Sequence, residues 1–184
     1  MDISVLFKYL MRLIPYTHLT PKGKYYGLWA CKRAYSKYPQ AYPEDFLKRV
    51  YDLFEVDENT KVCHLFSGSI DEPYTVDLNP NSKARFRCDA TKTPFPDNFF
   101  DLVLADPPYN KERAKVWGYK LPTIKSIIFE MRRITKVGGY YCLLHFIVPR
   151  DWFKECVGVI AVTEGANMRI RAFTIFQKQN KSVK

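Results

Sequence analysis

Apolar positions along this chain follow two different spacings. Phe46, Leu47, Val50, Tyr51, Leu53 and Phe54 recur at the three-and-four spacing of a helix with one buried face. Pro43-Glu44-Asp45 precedes them, and a proline followed by two acids suits a first helical turn. Residues 122–136 repeat the spacing with Ile124, Ile127, Ile128, Met131 and Ile134, and Gly138-Gly139 is the expected stop. Residues 3–14 read as a further helix interrupted by charges. Elsewhere short apolar runs alternate with turn residues and predict strands at 61–66, 74–78, 85–88, 101–105 and 140–148. The run at 140–148 is apolar throughout, as in a parallel strand covered on both faces. Runs at 157–163 and 169–177 predict a closing hairpin around Glu164-Gly165-Ala166-Asn167. Residues 15–43, rich in Tyr, Lys and Pro, show little period and are expected to be irregular. Strands alternating with helices predict an α/β fold with a mostly parallel sheet.

Composition narrows the class. At 184 residues and 47% apolar, the chain has the size of one ordinary domain with a real core. That excludes a disulfide-stapled mini-protein. No internal repeat or low-complexity tract is present. The longest apolar run, 140–148, is too short to span a bilayer, and the N-terminus lacks the pattern of a signal peptide. A cytoplasmic location is the expectation. Five cysteines form no Cys-x-x-Cys pair, and Cys63, Cys88 and Cys142 sit in apolar runs where a thiol serves as a small core hydrophobe. His18, His64 and His145 have no metal-ligand spacing with them, so no metal site is expected.

The net charge is +10, and its distribution is segmental. Residues 1–40 carry +6, 41–110 carry −6, 111–136 carry +6 and 169–184 carry +5. Basic segments around an acidic one point to a polyanionic partner, nucleic acid ahead of membrane.

Asp106-Pro107-Pro108-Tyr109 follows directly on the strand 101–105, where ligands of open parallel sheets bind. Its parts suit a planar amino group. A carboxylate and a backbone carbonyl each accept one N–H, two prolines fix where the carbonyl points, and the tyrosine offers a flat face. The plain alternative is a stiff strand-to-loop turn.

With this motif the chain resembles the class I S-adenosylmethionine-dependent methyltransferases, specifically the amino-methylating group with an Asp-Pro-Pro-Tyr motif, which includes the adenine-N6 and cytosine-N4 DNA enzymes. Other segments match in order. Residues 64–69, containing Phe66, Ser67 and Gly68, resemble the cofactor loop. Residues 76–80, with Asp77 and Leu78, resemble the second strand, whose acid holds the cofactor ribose. Asp89 and Ala90 resemble the third-strand pair beside the cofactor adenine. Residues 132–139 resemble the helix end before strand five, and 38–43 faintly resemble the segment capping the methionine end of the cofactor.

The resemblance implies a Rossmann-like, mostly parallel seven-stranded sheet of order 3-2-1-4-5-7-6, with reduced connecting helices and a C-terminal antiparallel hairpin. It implies S-adenosylmethionine as cofactor and a division into a basic arm, 1–41, and a catalytic domain, 42–184. The cofactor residues are then Phe66, Ser67, Gly68, Asp77, Leu78, Asp89 and Ala90, and the catalytic ones Asp106, Pro107, Pro108 and Tyr109. Lys111, Arg113 and Lys115 are placed for phosphates. The expected reaction is methyl transfer to a base amino group, in DNA before RNA, with the base flipped out and stacked on Tyr109. A catalytically silent nucleic-acid-binding module and a small-molecule methyltransferase are the alternatives. Three departures stand out. Ile70 replaces the last glycine of the cofactor loop. His64-Leu65 replaces the usual acid near the first strand's end, leaving Asp71 or Glu72 as substitute acceptors. The connections after Ser69 and Asp77 are too short for full crossover helices.

Overall fold

The computed structural model describes residues 16–20, 23–32, 42–109, 111–116, 120–149, 154–164 and 170–180, with backbone alone for 16–19, 113 and 116. The helix expected at 3–14 lies outside the described residues. Eight strands are seen: β1 Tyr16–Leu19, β2 Tyr25–Ala30, β3 Val62–Leu65, β4 Thr75–Val76, β5 Phe100–Ala105, β6 Thr135–His145, β7 Cys156–Thr163 and β8 Arg171–Gln177. Three helices accompany them among the described residues: α1 Phe46–Leu53, α2 Lys111–Val116 and α3 Ile124–Ile134.

All eight strands form one sheet of order β1-β2-β7-β8-β6-β5-β3-β4. From β3 to β6 the neighbours pair in parallel, while β8 runs antiparallel to both β6 and β7. Taking β3 as the first strand, this is the expected 3-2-1-4-5-7-6. The third strand, however, shrinks to one parallel bridge between Val76 and Phe86, and β4 keeps only two residues. The short links explain the loss, since neither leaves room for a helix that would carry the chain a full strand length back.

The segment expected to be irregular instead adds a hairpin. β1 and β2 pair antiparallel, and β2 lies parallel to β7 from Tyr25↔Gly158 to Ala30↔Thr163. The sheet therefore has eight strands. Gly158 permits the pairing, because a Cβ there would sit 2.4 Å from the Tyr25 carbonyl oxygen. Alternate residues of β2 face inward, ending on the buried Trp29.

Side-chain alternation along β5 divides the core. Val103 and Ala105 join Cys63, Leu65, Ile127, Ile128, Met131 and Phe176 under α3. Leu102 and Leu104 join Trp29, Phe46, Val50 and Phe173 under α1. A side chain as fully buried as Phe46 or Met131 contributes about 1.5–3 kcal/mol. Cys63 and Cys142 are fully buried, Cys88 is partly so, and burial raises all three thiols above their ordinary range.

Helix α3 starts on Thr123, whose hydroxyl accepts the Ser126 N–H. It ends earlier than the glycines suggest. Thr135 is already extended and opens β6, its hydroxyl donating to the Met131 carbonyl. Gly138 and Gly139 lie inside β6. Gly138 has φ 83°, and a Cβ on Gly139 would come within 2.8 Å of the Asp101 carbonyl oxygen.

Candidate functional site

Between β3 and β5 the chain reverses its direction of travel across the sheet. From β3 it steps outward to β4, then returns to β5 on the other side. The carboxyl ends of two such strands diverge and leave a crevice. Leu65 and Ala105 are paired, so Phe66 and Asp106 leave the sheet side by side at this crevice.

Phe66, Ser67 and Gly68 form the turn after β3. Phe66 has φ 58° and Gly68 φ 54°. The left-handed region suits Gly68 but costs a bulky residue such as Phe66 roughly 1–3 kcal/mol. Backbone bonds hold the turn: Ser67 N–H to Val76 O at 3.0 Å, Ile70 N–H to Ser67 O at 3.0 Å and Lys83 N–H to Gly68 O at 2.9 Å. Asp77, expected to face ribose, is buried at the end of β4. Its Oδ2 accepts the Gly68 N–H at 2.9 Å and its Oδ1 the Asn79 N–H at 2.8 Å. It thus braces the turn from behind.

Two clefts meet at Phe66. The first, about 360 Å³, is lined by Phe66, Leu78, Asp89, Ala90, Lys120 and Pro122 among others. It brings together four of the seven residues expected at the cofactor. Asp89 is exposed, with Oδ1 accepting from the Thr91 amide and hydroxyl, both at 2.8 Å. The second cleft, about 330 Å³, is lined by Tyr42, Pro43, Asp45, Lys48, Ser67 and Ile70 among others. Both Tyr42 and Ser67 line it, and the Tyr42 hydroxyl and Ser67 Oγ are buried without a hydrogen-bond partner. Such orphans are rare and mark a place where a ligand or water completes the bonding. Burial, with a smaller contribution from the Asp106 charge, pushes the Tyr42 phenol up.

Neither substitute acid stands alone. Asp71 Oδ1 accepts from Arg85, on the surface. Glu72 accepts the Tyr51 hydroxyl at 2.5 Å and lies 3.1 Å from Nε2 of the fully buried His64. Burial works to raise Glu72, but these bonds outweigh it and its pKa is lowered. Nδ1 of His64 is buried without a partner.

Asp106 is held more tightly than its motif suggests. The Tyr109 hydroxyl donates to Asp106 Oδ1, and Arg171 Nη1 lies 3.2 Å from Oδ2. The same Nη1 donates to the Tyr109 hydroxyl at 2.8 Å, and Nη2 donates to Glu164. Burial and the Asp106 carboxylate push the Tyr109 phenol up. Its ring meets His145 and Phe146 edge-on, at 5.3 and 4.6 Å. Pro107 and Pro108 are buried. Arg171 and Glu164 had no motif to mark them. Glu164 follows β7 and Arg171 opens β8, and only the antiparallel order of β7, β8 and β6 brings them to the motif.

Lys111 and Lys115 are exposed on α2, directly after the motif. The side chain of Arg113 lies outside the described residues, as do Asn110 and residues 38–41. Among the described residues no group of His, Cys, Asp and Glu is arranged to hold a metal, and no helix is long and apolar enough to cross a membrane.

No family model matches the chain. The ubiquinone/menaquinone biosynthesis C-methyltransferase UbiE of Burkholderia cenocepacia is 42% identical over 69 residues, 37% of this chain and 24% of that protein. UbiE of Burkholderia mallei is 42% identical over 73 residues, 39% of this chain and 26% of that protein. The match thus spans about a quarter of these relatives' length. Among solved structures, TrmN from Thermus thermophilus aligns with a TM-score of 0.46 at 17% identity, covering 71% of this chain and 47% of that one. A SAM-dependent methyltransferase from Aquifex aeolicus aligns with a TM-score of 0.42 at 13% identity, covering 70% and 88%. The order of the sheet from β3 to β8, with its reversed last strand, is that of the class I methyltransferase fold.

Proposed function

We propose that this chain transfers a methyl group from S-adenosylmethionine to an acceptor held at the Asp106–Tyr109 turn. The observation that carries this reading is the pair of clefts meeting at Phe66 on the switch point of the sheet, one with buried, unpartnered hydroxyls. The residues present fit the cofactor. Leu78, Ala90 and Phe66 offer apolar walls for its adenine, with Asp89 as acceptor at the rim. Tyr42 and Ser67 offer donors for the carboxylate of its amino-acid end, with Lys48 and Asp45 of opposite charge at the mouth. When bound, the cofactor supplies an electrophilic methyl group.

The acceptor in this reading is the exocyclic amine of a nucleic-acid base, in DNA ahead of RNA. Such an amine is a poor nucleophile because its lone pair is delocalised into the ring. Asp106 accepts one of its hydrogens while keeping its own bonds, since a carboxylate offers about four acceptor sites. Tyr109 and Arg171 fix that carboxylate before the acceptor arrives, so little reorganisation accompanies the reaction. Lys111 and Lys115 hold backbone phosphates. A second reading, transfer to a carbon of an apolar planar ring, is favoured by the local match to UbiE.

Methyl-labelled cofactor offered with unmethylated DNA, RNA transcripts and a naphthohydroquinone kept reduced tests these readings. Label in 6-methyladenine or 4-methylcytosine is the expected result, and label on a ring carbon of the hydroquinone, with loss of its proton, carries the second reading. Binding of S-adenosylhomocysteine without transfer to any acceptor overturns the enzyme and leaves a silent binding module. No binding and no transfer overturns the whole proposal.

A further inference from the structure

At its carboxyl end β6 gives way to a bend that carries three exposed apolar residues. Phe146, Ile147 and Val148 are 39, 57 and 39% exposed. The register of β6 on β8 ends at His145↔Ala172, and Ile170, just before β8, is 61% exposed. Large apolar side chains gathered at one strand end in water are disfavoured unless something covers them.

The lip is also stiff. The Ile147 N–H donates to His145 Nδ1 at 3.0 Å, which leaves the ring proton of the neutral imidazole on Nε2. The His145 ring backs onto Tyr109, and Tyr109 onto Phe146. Tyr109 is thereby used up from two sides. Its hydroxyl is bonded to Asp106 and Arg171, and its ring carries two edge contacts.

Resting on the nucleobase reading above, we infer that the flat face of the acceptor base is received by the Phe146–Ile147 lip, with Tyr109 as the buttress that holds Phe146 in place. This assigns acceptor selection to a segment 37 positions beyond the motif tyrosine, by residue number. It also accounts for an exposed apolar surface beside the Asp106–Tyr109 turn.

The test uses a short single-stranded oligodeoxynucleotide carrying one 2-aminopurine, with S-adenosylhomocysteine present. Fluorescence of 2-aminopurine is quenched on stacking, and anisotropy of an end-labelled copy reports overall affinity. Wild-type protein is expected to quench the base. Phe146→Ala should lose most of the quench and bind about 5-fold to 100-fold more weakly, the range of one lost base–aromatic stack. Phe146→Trp should restore both. A thermal melt checks that each variant is folded, which the exposure of Phe146 favours. Wild-type quenching by Phe146→Ala overturns the inference, as does binding without quench in the wild type. An oligonucleotide that does not bind at all removes the nucleobase reading and the inference together. Quench unaffected by Phe146→Ala removes the inference alone.

Discussion

Arg171 Nη1 lies 3.2 Å from Asp106 Oδ2, and both side chains are buried. One guanidinium thus joins the motif aspartate to Glu164, with Tyr109 closing the ring of bonds. Burial alone opposes the charge on Arg171, but Asp106, Tyr109 and Glu164 outweigh it and its pKa is raised.

Arg171→Met should therefore destabilise the fold by about 3–5 kcal/mol, because it leaves the buried Asp106 and the partly buried Glu164 without their cation. Adding Asp106→Asn should recover part of that loss, since the two residues share one network. Urea unfolding of the single and double variants measures this. Losses that simply add would show the pair uncoupled.

Asp77→Ala should affect stability as well as cofactor affinity. It removes the acceptor for the Gly68 and Asn79 amides. Each buried donor left unpaired costs about 1–3 kcal/mol. Parallel unfolding and S-adenosylhomocysteine titrations should both fall. A loss of affinity with unchanged stability would place Asp77 on the ligand alone.

How legible the site was depends on how far apart its parts lie in the chain. The turn after β3 and the Asp106 motif are contiguous, and each follows an apolar run that announces a strand. Arg171 lies 65 positions from Asp106 and has no local mark, so its role emerges only with the sheet order. β1 and β2 were hidden for a related reason. Tyr25–Ala30 has no charged residue to mark its outer face in the sequence, although burial alternates in the structure, and its partner β7 is far away in sequence. The end of α3 was misplaced because two glycines look like a helix stop. Here both lie inside β6 instead, Gly138 for its positive φ and Gly139 for a close backbone approach to Asp101.

Acid should weaken the protein in two stages. Burial lowers the His145 pKa below its ordinary 6.5. The unfolded chain therefore takes up that proton first, and stability falls as pH drops from about 6.5 through the folded-state value. Burial raises Glu130 and Glu155, but Arg133 with Thr93 and Arg132 with Tyr141 outweigh it, so both are lowered from 4.5. Their contribution is present above that range and is lost as pH falls through their folded values. His145→Asn should flatten the upper stage and leave the lower one, as read by unfolding free energy against pH. Persistence of the upper stage would assign it elsewhere.

Nucleic-acid affinity should fall linearly on a log–log salt plot, with a slope near −0.9 for each phosphate neutralised on duplex DNA. Lys111→Gln and Lys115→Gln should each reduce the slope by about 1. A flat plot, or slopes unchanged in both variants, would remove α2 from the phosphate path.

The most direct test of the account is calorimetric titration of the whole chain with S-adenosylhomocysteine, repeated with 5′-methylthioadenosine and on Tyr42→Phe and Ser67→Ala. The account predicts one-to-one binding, and ligand at 100 times its Kd should add about 2.7 kcal/mol of stability. Each variant should weaken S-adenosylhomocysteine but leave 5′-methylthioadenosine, which lacks the amino-acid end, unchanged. No heat and no added stability at millimolar S-adenosylhomocysteine would contradict the account.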